Sequence, residues 1–238
     1  AGAEDMPGVV AVYTGMDLQD MLAPLPCVHS IENLKEPAHP AVAPEIVRYA
    51  GDGVAVVVAD TSAAAEDAVR QVHVEYERLP VVVDVVEATT ANSDLVHTDM
   101  GTNIAFTSVT DVGDVDSAFE KADVVIKQRL VNQRQIPIAM EPRAVVADYD
   151  AGYDKLTIWS STQVPHFVRL LIAAVCGHPE NRVRVIAPEV GGGFGSKLNF
   201  YAEEAIVAYV SKALCRPAKW NGRRTEDILA TIHGRDQI

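Results

Sequence analysis

The chain has 238 residues, of which 48% are hydrophobic and 22% charged, and its formal net charge is -13 at pH 7. This length and composition predict a globular protein with one large or two small domains. The acidic balance argues against a nucleic-acid or anionic membrane partner, because no segment offers a basic face. No apolar run is long enough to span a bilayer, and "AGAEDMPGVV" has no signal-peptide pattern.

The cysteines and the two ends of the chain lead to further expectations. Cys27, Cys176 and Cys215 are scattered without CxxC spacing, so neither a disulfide framework nor a zinc or iron–sulfur site is expected. Reduced thiols predict a cytoplasmic location. The chain opens directly into a strand and stops at "HGRDQI" without a closing element, so we expect a piece of a longer polypeptide.

In chain order, the N-terminal part predicts strands, a long loop and one helix. "VVAVY" at 9–13 predicts a strand, and the Pro- and Ala-rich residues 21–45 predict a loop. "VRYAGDGVAVVVAD" at 47–60 predicts two strand-like runs around a glycine turn. Thr61 or Ser62 caps a helix that is expected to run to about Val72.

The rest of the chain mixes strands and helices. Alternation predicts strands in "VHVEYERLP" at 72–80 and "DVVIKQRLVNQRQ" at 123–135, and "DVDSAFEKA" between them predicts a short helix. "RAVVADYD" and "KLTIWSST" predict a hairpin. A helix over 164–176, a strand over 182–190, a long helix over 199–215 and a strand over 217–222 follow. Antiparallel pairs among these strands favour an α+β fold.

The stretch "VGGGFGSK" at 190–197 lies between a predicted strand and a predicted helix. A P-loop is excluded because Ser196 precedes Lys197 and Leu198 follows it. A dinucleotide fingerprint counted from Gly191 fails at Ser196, where glycine or alanine is needed. Glycines let a backbone approach a ligand closely, and a helix N-terminus offers N–H groups to an anion. The loop therefore predicts an anion or cofactor cradle, with a tight turn without a ligand as the alternative.

Several motifs occur in an order that points to one family. "PGVVAVYTG" is followed by "MEPRAVVADYD", "LTIWSSTQVPHFVR", "RVRVIAPEVGGGFGSK" and "RPAKW". Together they resemble the large, molybdenum-binding subunit of the xanthine dehydrogenase, aldehyde oxidase and carbon monoxide dehydrogenase family. The three-subunit carbon monoxide dehydrogenase-like branch looks nearest. The resemblance covers essentially the whole chain, and its most specific part is the pair "SSTQ" and "GGGFG".

The resemblance implies an α+β architecture in two parts. Residues 1–86 would form most of an α/β hammerhead domain without its first strands. Residues 87–103 would form a linker, and residues 104–238 the first part of a molybdopterin-binding domain.

The resemblance also implies the site residues. Gln163 would direct its amide at the molybdenum centre, and the backbone of Gly192, Gly193, Phe194 and Gly195 would contact the metal ligands and the pterin. None of them ligates the metal directly, and the family's catalytic base, a glutamate, would lie beyond residue 238. Judged by the residues alone, a surface-turn glutamine is the favoured interpretation of Gln163, and Phe194 can be a core aromatic.

Other residues of these motifs carry weaker expectations. Glu141 and Arg143 of "MEPR" are predicted to be structural, as are His166 and the helix-dipole partners Glu203 and Glu204.

Two positions depart from the family pattern. Ser196 replaces a glycine and adds a hydroxyl. Leu198 stands where purine-oxidising relatives often carry glutamate, which disfavours a purine substrate.

By resemblance, the cofactor would be molybdenum–molybdopterin in its cytosine dinucleotide form. The rest of the large subunit, an iron–sulfur small subunit and an FAD medium subunit would be the partners. The whole cytoplasmic enzyme would oxidise carbon monoxide, an aldehyde or an N-heterocycle with oxygen from water, and this chain alone would be inactive. A non-catalytic assembly or scaffold fragment that binds no cofactor alone, and a nucleotide-binding enzyme, are the alternatives.

Overall fold

The structure, a computed structural model, describes residues 2–27, 29, 31–232 and 234–238. The chain divides into two compact units. The larger unit comprises residues 1–26, 38–78 and 136–233, and the smaller unit comprises 27–37, 79–135 and 234–238. Helices and strands are mixed as an α+β fold requires. The boundaries at residues 86 and 103 remain a prediction.

A two-stranded antiparallel sheet lies in the N-terminal part of the larger unit. It pairs β1 (Val9–Thr14) with β2 (Ala55–Ala59), and helix α1 (Gly15–Leu18) follows β1 directly. The Thr61 hydroxyl accepts a hydrogen bond from Ala64 N and caps helix α2 (Ser62–Val69) as predicted. The two predicted strands β1 and β2 are thus confirmed, and α2 is shorter than expected.

A four-stranded sheet carries the rest of the larger unit. Its strands are β3 (Ala144–Asp150), β4 (Lys155–Ser160), β5 (Val183–Ile186) and β6 (Ala218–Asn221), in the order β5-β4-β3-β6. The predicted hairpin β3–β4 is antiparallel, and so is the pair β3–β6, whereas β4 and β5 run parallel. The two antiparallel pairs beside one parallel pair confirm the α+β fold that the sequence predicted.

Two helices cover this sheet and connect two apolar cores. Helix α4 (Pro165–Val175) begins with proline in its first turn, and α5 (Ala202–Leu214) is buried along most of its length. Val207 and Ala208 of α5 pack with the sheet residues Val145 and Ile158. Other α5 side chains join a second core with residues that follow β1, among them Leu18 and Leu22. Because both sides of α5 are covered, its pattern is apolar almost all round.

A helix that the sequence analysis missed closes the larger unit. Helix α6 is Arg224–Ala230, and its capping box pairs Arg223 N with the Glu226 carboxylate at 2.9 Å. It follows β6 directly and carries Asp227, which is buried.

The smaller unit has little regular structure. Within residues 79–135, all of them described, the helical segments are α3 (Val115–Glu120) and the short 3-10 turns Glu87–Thr89 and Thr98–Met100. Asn103 holds the predicted linker together, since its side chain accepts from Val96 N and donates to Ala88 O and Asp94 O. The short helix expected over 114–122 is confirmed.

Three predicted strands are wrong. Residues 47–50 and 72–80 belong to no strand, and in 123–135 the only pairing is an isolated bridge between Asn132 and Gln237. Alternation shows that a segment can present two different faces, but a strand also needs a neighbour for its N–H and C=O groups. The described residues supply no such neighbour here, and Ile126 is 82% exposed.

Among the described residues, no helix has the length and apolar character needed to cross a membrane.

Candidate functional site

Gln163, the first candidate residue, lies shortly after β4, which ends at Ser160. Thr162 follows the strand and is buried, and its hydroxyl accepts a hydrogen bond from Val164 N at the start of α4. Gln163 N donates to Lys197 O at 3.0 Å, which ties the end of the strand to the glycine loop. The side chain of Gln163 is directed toward that loop, and the residue as a whole is exposed.

The glycine loop after β5 has an unusual backbone. Gly192, Phe194 and Gly195 have φ values of 98°, 51° and 91°, all in the region that favours glycine. Phe194 is not glycine and therefore carries strain of about 1–3 kcal/mol, which is most often found at functional sites. Its side chain is 68% exposed, so the core-aromatic interpretation of Phe194 is wrong.

The structure brings Gln163 and the loop together. Gln163 Oε1 accepts hydrogen bonds from Gly195 N at 3.1 Å and from Lys197 N at 3.3 Å. A Cβ on Gly193 would lie 2.3 Å from the same oxygen, so glycine is what allows the amide to sit above the loop. We call Gln163 and Gly192–Gly195 the loop front.

The loop front has hydrogen-bond donors without protein acceptors. Within the described part of the chain, Gly192 N and Gly193 N donate to no protein group, although Gly193 is buried. Gln163 Oε1 is used as an acceptor, and the described residues offer the amide nitrogen Nε2 no acceptor. Buried N–H groups are normally paired, so these donors suit an acceptor that is not part of this chain.

The expected contribution of a helix N-terminus is wrong. Helix α5 begins at Ala202, well after the loop, and Glu203 and Glu204 lie in its first turn. Tyr201 N is taken by the Glu204 carboxylate at 3.0 Å. Two carboxylates at this end disfavour an anion, so the donors come from the loop itself.

A polar cluster of Glu141, Ser161 and Lys197 lies at the two ends of the loop. Lys197 Nζ donates to Glu141 O at 2.9 Å, Glu141 Oε2 at 2.9 Å and Ser161 Oγ at 2.7 Å, and its side chain is 1% exposed. Glu141 Oε2 also accepts from Gly191 N at 2.7 Å and from Ser161 Oγ at 2.8 Å. Burial would raise the pKa of Glu141, but the hydrogen bonds from Lys197, Gly191 N and Ser161 outweigh it and lower that pKa.

The two charged residues of "MEPR" do not pair with each other. Glu141 binds Lys197, whereas Arg143 makes two hydrogen bonds to Glu203 at 2.8 and 3.1 Å and one from Nε to Asp227 at 3.1 Å. The Arg143 guanidinium also stacks 3.8 Å above the Tyr201 ring. Both motif residues are therefore structural, and Glu203 is a partner of Arg143 rather than of the helix dipole alone.

Glu204 is a buried carboxyl group in a different environment. It accepts from Ser160 Oγ at 2.6 Å and from Tyr201 N, and it is 7% exposed. Burial raises its pKa to about 7, against the effect of these two hydrogen bonds and of Arg143.

The remaining motif residues lie as follows. The Ser196 hydroxyl is buried and donates to Gly193 O at 2.9 Å, so it braces the loop from inside. Leu198 is 51% exposed, and His166 is exposed in the first turn of α4. Across the described residues, no group of three or more His, Cys, Asp or Glu side chains is placed to hold a metal ion.

Family descriptions match both parts of the chain. The molybdopterin cofactor-binding domain matches residues 96–238, and the a/b hammerhead domain of aldehyde oxidase and xanthine dehydrogenase matches residues 1–80. The fold class implied by the resemblance is confirmed.

Individual relatives agree with these matches. The nicotine 6-hydroxylase large subunit of Paenarthrobacter nicotinovorans is 35% identical over 100% of this chain and 29% of its own length. The carbon monoxide dehydrogenase large chain of Hydrogenophaga pseudoflava is 34% identical over 97% of this chain and 30% of its own length. Quinoline 2-oxidoreductase from Pseudomonas putida 86 has a similar structure, with a TM-score of 0.92 and 32% sequence identity. The similarity covers 99% of this chain and 30% of that protein's chain.

The chain spans about 30% of the length of these relatives. The matches in sequence and structure run through both parts and include the segments that carry the loop front. The chain therefore belongs to the aldehyde oxidase and xanthine dehydrogenase family of molybdopterin-binding large subunits.

Proposed function

We propose that this chain supplies part of the cofactor cradle of a molybdenum hydroxylase large subunit, with Gln163, Gly192, Gly193, Phe194 and Gly195 as the cofactor-binding residues. The observation that carries the proposal is the loop front. There, Gly192 N, Gly193 N and the Gln163 amide nitrogen have no acceptor among the described residues.

The residues present fit a molybdenum–pterin cofactor. Such a group presents oxygen acceptors and negative charge, which closely spaced backbone N–H donors bind well. A side chain at position 193 would displace the Gln163 amide. Glycine at this position therefore allows Gly193 N and the Gln163 amide to lie close together. When bound, the cofactor supplies the redox chemistry of substrate oxidation, and the protein supplies orientation and electrostatics.

The role of this chain would be to position the cofactor. The N–H groups of Gly192 and Gly193 bind its oxygen-bearing side, and Gln163 Nε2 donates to it while Oε1 stays fixed on Gly195 and Lys197. Direct metal ligation is assigned to none of these residues. Because the Lys197 ammonium directs its three donors at Glu141 and Ser161, Lys197 is assigned a structural role and no role in proton transfer.

The whole enzyme would oxidise carbon monoxide, an aldehyde or an N-heterocycle with oxygen from water. Relatives named for nicotine, carbon monoxide and quinoline support this range. Leu198, half-exposed beside the loop and without a carboxylate, supports a substrate other than a purine.

The proposal extends to partners and to the remaining part of the subunit. Because the chain spans about 30% of its relatives, we propose that activity and the general base require the rest of the large subunit. Iron–sulfur and FAD subunits would carry electrons away, and the pterin would carry a cytosine dinucleotide. The free thiols Cys27, Cys176 and Cys215 support a cytoplasmic location.

Metal and pterin analysis of the assembled enzyme tests this function, with ATP and NAD titrations in parallel. About one molybdenum and one pterin per large subunit, with no nucleotide affinity at micromolar concentration, is the expected result. An assembled enzyme with neither molybdenum nor pterin would overturn the proposal, and ATP or NAD binding would point to a nucleotide-dependent enzyme instead.

A further inference from the structure

We propose that Glu141 and Lys197 are positioning residues that fasten both ends of the glycine loop and so set the loop front. This inference rests on the proposed function, because the loop front is the part proposed to bind the cofactor. The side chains of Glu141 and Lys197 make no hydrogen bond to a described loop-front residue, and both act through the backbone that they hold.

Glu141 holds the start of the loop at two points. Its Oε2 accepts from Gly191 N at 2.7 Å, and its own N–H donates to Gly191 O at 3.2 Å. A Cβ on Gly191 would lie 2.6 Å from the Cβ of Glu141, so the two backbones approach as closely as glycine allows. The start of the loop therefore cannot shift without breaking both contacts.

Lys197 holds the end of the loop against the same residue. Its ammonium group has three donors, and all three are used, on Glu141 O, Glu141 Oε2 and Ser161 Oγ. A lysine with a 1% exposed side chain and no spare donor is suited to holding structure and cannot bind a ligand as well. The pair thus joins Gly191 and Lys197, the two ends of the loop, through one carboxylate.

The contacts that anchor the two ends of the loop also affect the geometry of the loop front. Lys197 N and Gly195 N both donate to Gln163 Oε1, and Lys197 O accepts from Gln163 N. The Lys197 backbone is therefore part of the geometry that orients the Gln163 amide. If the ammonium group loses its anchor, the hydrogen bond from Lys197 N that holds Gln163 Oε1 is weakened too.

The variants Glu141→Gln and Lys197→Met test the role in the assembled enzyme. Each removes the ion pair with little change in side-chain volume. Glu203→Gln is the matched control, because it also removes a carboxylate from an ion pair, with Arg143 at 2.8 Å, and the hydrogen bonds of that carboxylate go to Arg143 and not to the loop. Three quantities are measured: molybdenum and pterin per enzyme, the molybdenum EPR spectrum, and amide hydrogen exchange over residues 190–198.

The pair variants are expected to lose about 10-fold in cofactor content, as substitutions behind a metal site do. The loaded fraction should show a shifted EPR spectrum, and exchange over 190–198 should be about 10-fold faster. Glu203→Gln should match the wild type in all three, even if its melting temperature falls.

Three results overturn the inference and are distinguishable. Full loading, an unchanged EPR spectrum and unchanged exchange in both pair variants would show that the pair does not position the loop, while the proposed function stands. A wild-type enzyme without molybdenum and pterin would overturn the proposed function and this inference together. Equal losses in the pair variants and in Glu203→Gln would reduce Glu141 and Lys197 to general stability residues.

Discussion

The polar cluster and the loop front, which both belong to the glycine loop and its neighbours, differ in how their polar groups are hydrogen-bonded. In the polar cluster, the ammonium of Lys197 and the carboxylate of Glu141 are paired with each other and with Ser161. In the loop front, Gly192 N and Gly193 N have no acceptor among the described residues, and Phe194 is strained and exposed. The donors of the Lys197 ammonium are all used within the chain, whereas the loop front has donors available to a ligand. Changes in the polar cluster should therefore act on stability and, through the ends of the loop, on cofactor content, whereas changes in the loop front should act on cofactor binding directly.

The largest expected effect on stability lies in the polar cluster. Lys197→Met leaves the carboxylate of Glu141 without its cation. Because the Glu141 side chain is 34% exposed, the cost should be about 3 kcal/mol, at the lower end of the range for a buried pair. Chemical denaturation of the assembled enzyme checks this value. Lys155→Met is the control, since Lys155 is exposed and should change the free energy of unfolding by less than about 0.5 kcal/mol. Similar values for the two variants would contradict the distinction between a buried pair and a surface lysine.

The contrast between two carboxyl groups gives the next effect. Glu141 is held charged by Lys197, whereas burial raises the pKa of Glu204 from 4.5 to about 7. Since the folded state binds this proton more tightly than the unfolded state, its contribution to stability is complete below pH 4.5. It is lost as the pH rises through about 7.

Glu204→Gln should remove up to about 3 kcal/mol of this pH dependence. Denaturation midpoints measured between pH 4.5 and 8 check it. The wild-type midpoint should fall over this range and that of the variant should stay flatter. Parallel curves for the two proteins would show that Glu204 ionises at its ordinary pKa.

In the loop front, Gln163→Ala should affect catalysis more than stability. Loss of the amide that we propose to donate to the cofactor should raise the activation free energy by about 1–3 kcal/mol. The value of kcat is compared at equal molybdenum occupancy, beside the melting temperature. An unchanged kcat at full molybdenum occupancy would show that Gln163 is a surface-turn residue without a role toward the cofactor.

A double-mutant cycle sharpens the contact between Gly193 and Gln163. Gly193→Ala alone places a Cβ against the Gln163 amide, 2.3 Å from Oε1. In a Gln163→Ala background this clash disappears, so the two changes should be non-additive by about 1–2 kcal/mol in kcat/KM. Additive effects would mean that the two residues do not meet.

The sequence was sufficient for the elements whose partners are near in the chain. The β3–β4 hairpin and the helices α4 and α5 follow from alternation, a turn and helical periodicity. The strand predicted over 123–135 is wrong because alternation does not say whether a neighbouring strand is present. The helix over residues 224–230 was not predicted because it is short. Its buried residue Asp227 pairs with Arg143, which is distant in the sequence.

The candidate site divides in the same way. The resemblance pointed to Gln163 and Gly192–Gly195, which the structure places in contact. The pair of Glu141 with Lys197 was missed, because its partners lie 56 residues apart and no local pattern links them. The signal was present in the lysine that ends "GGGFGSK" and the glutamate of "MEPR", but only the fold shows that they meet.

Cofactor content of the assembled enzyme with Gly195→Val tests the central claim most directly. Gly195 has a φ of 91°, and Gly177, at the end of α4, has a φ of 57° and open space where a side chain would begin. Gly177→Val therefore carries a similar backbone strain, about 1–3 kcal/mol, away from the loop. We expect Gly195→Val to lose at least about nine-tenths of its molybdenum and pterin while Gly177→Val stays loaded. Equal and full loading of both variants would show that the loop is only a turn.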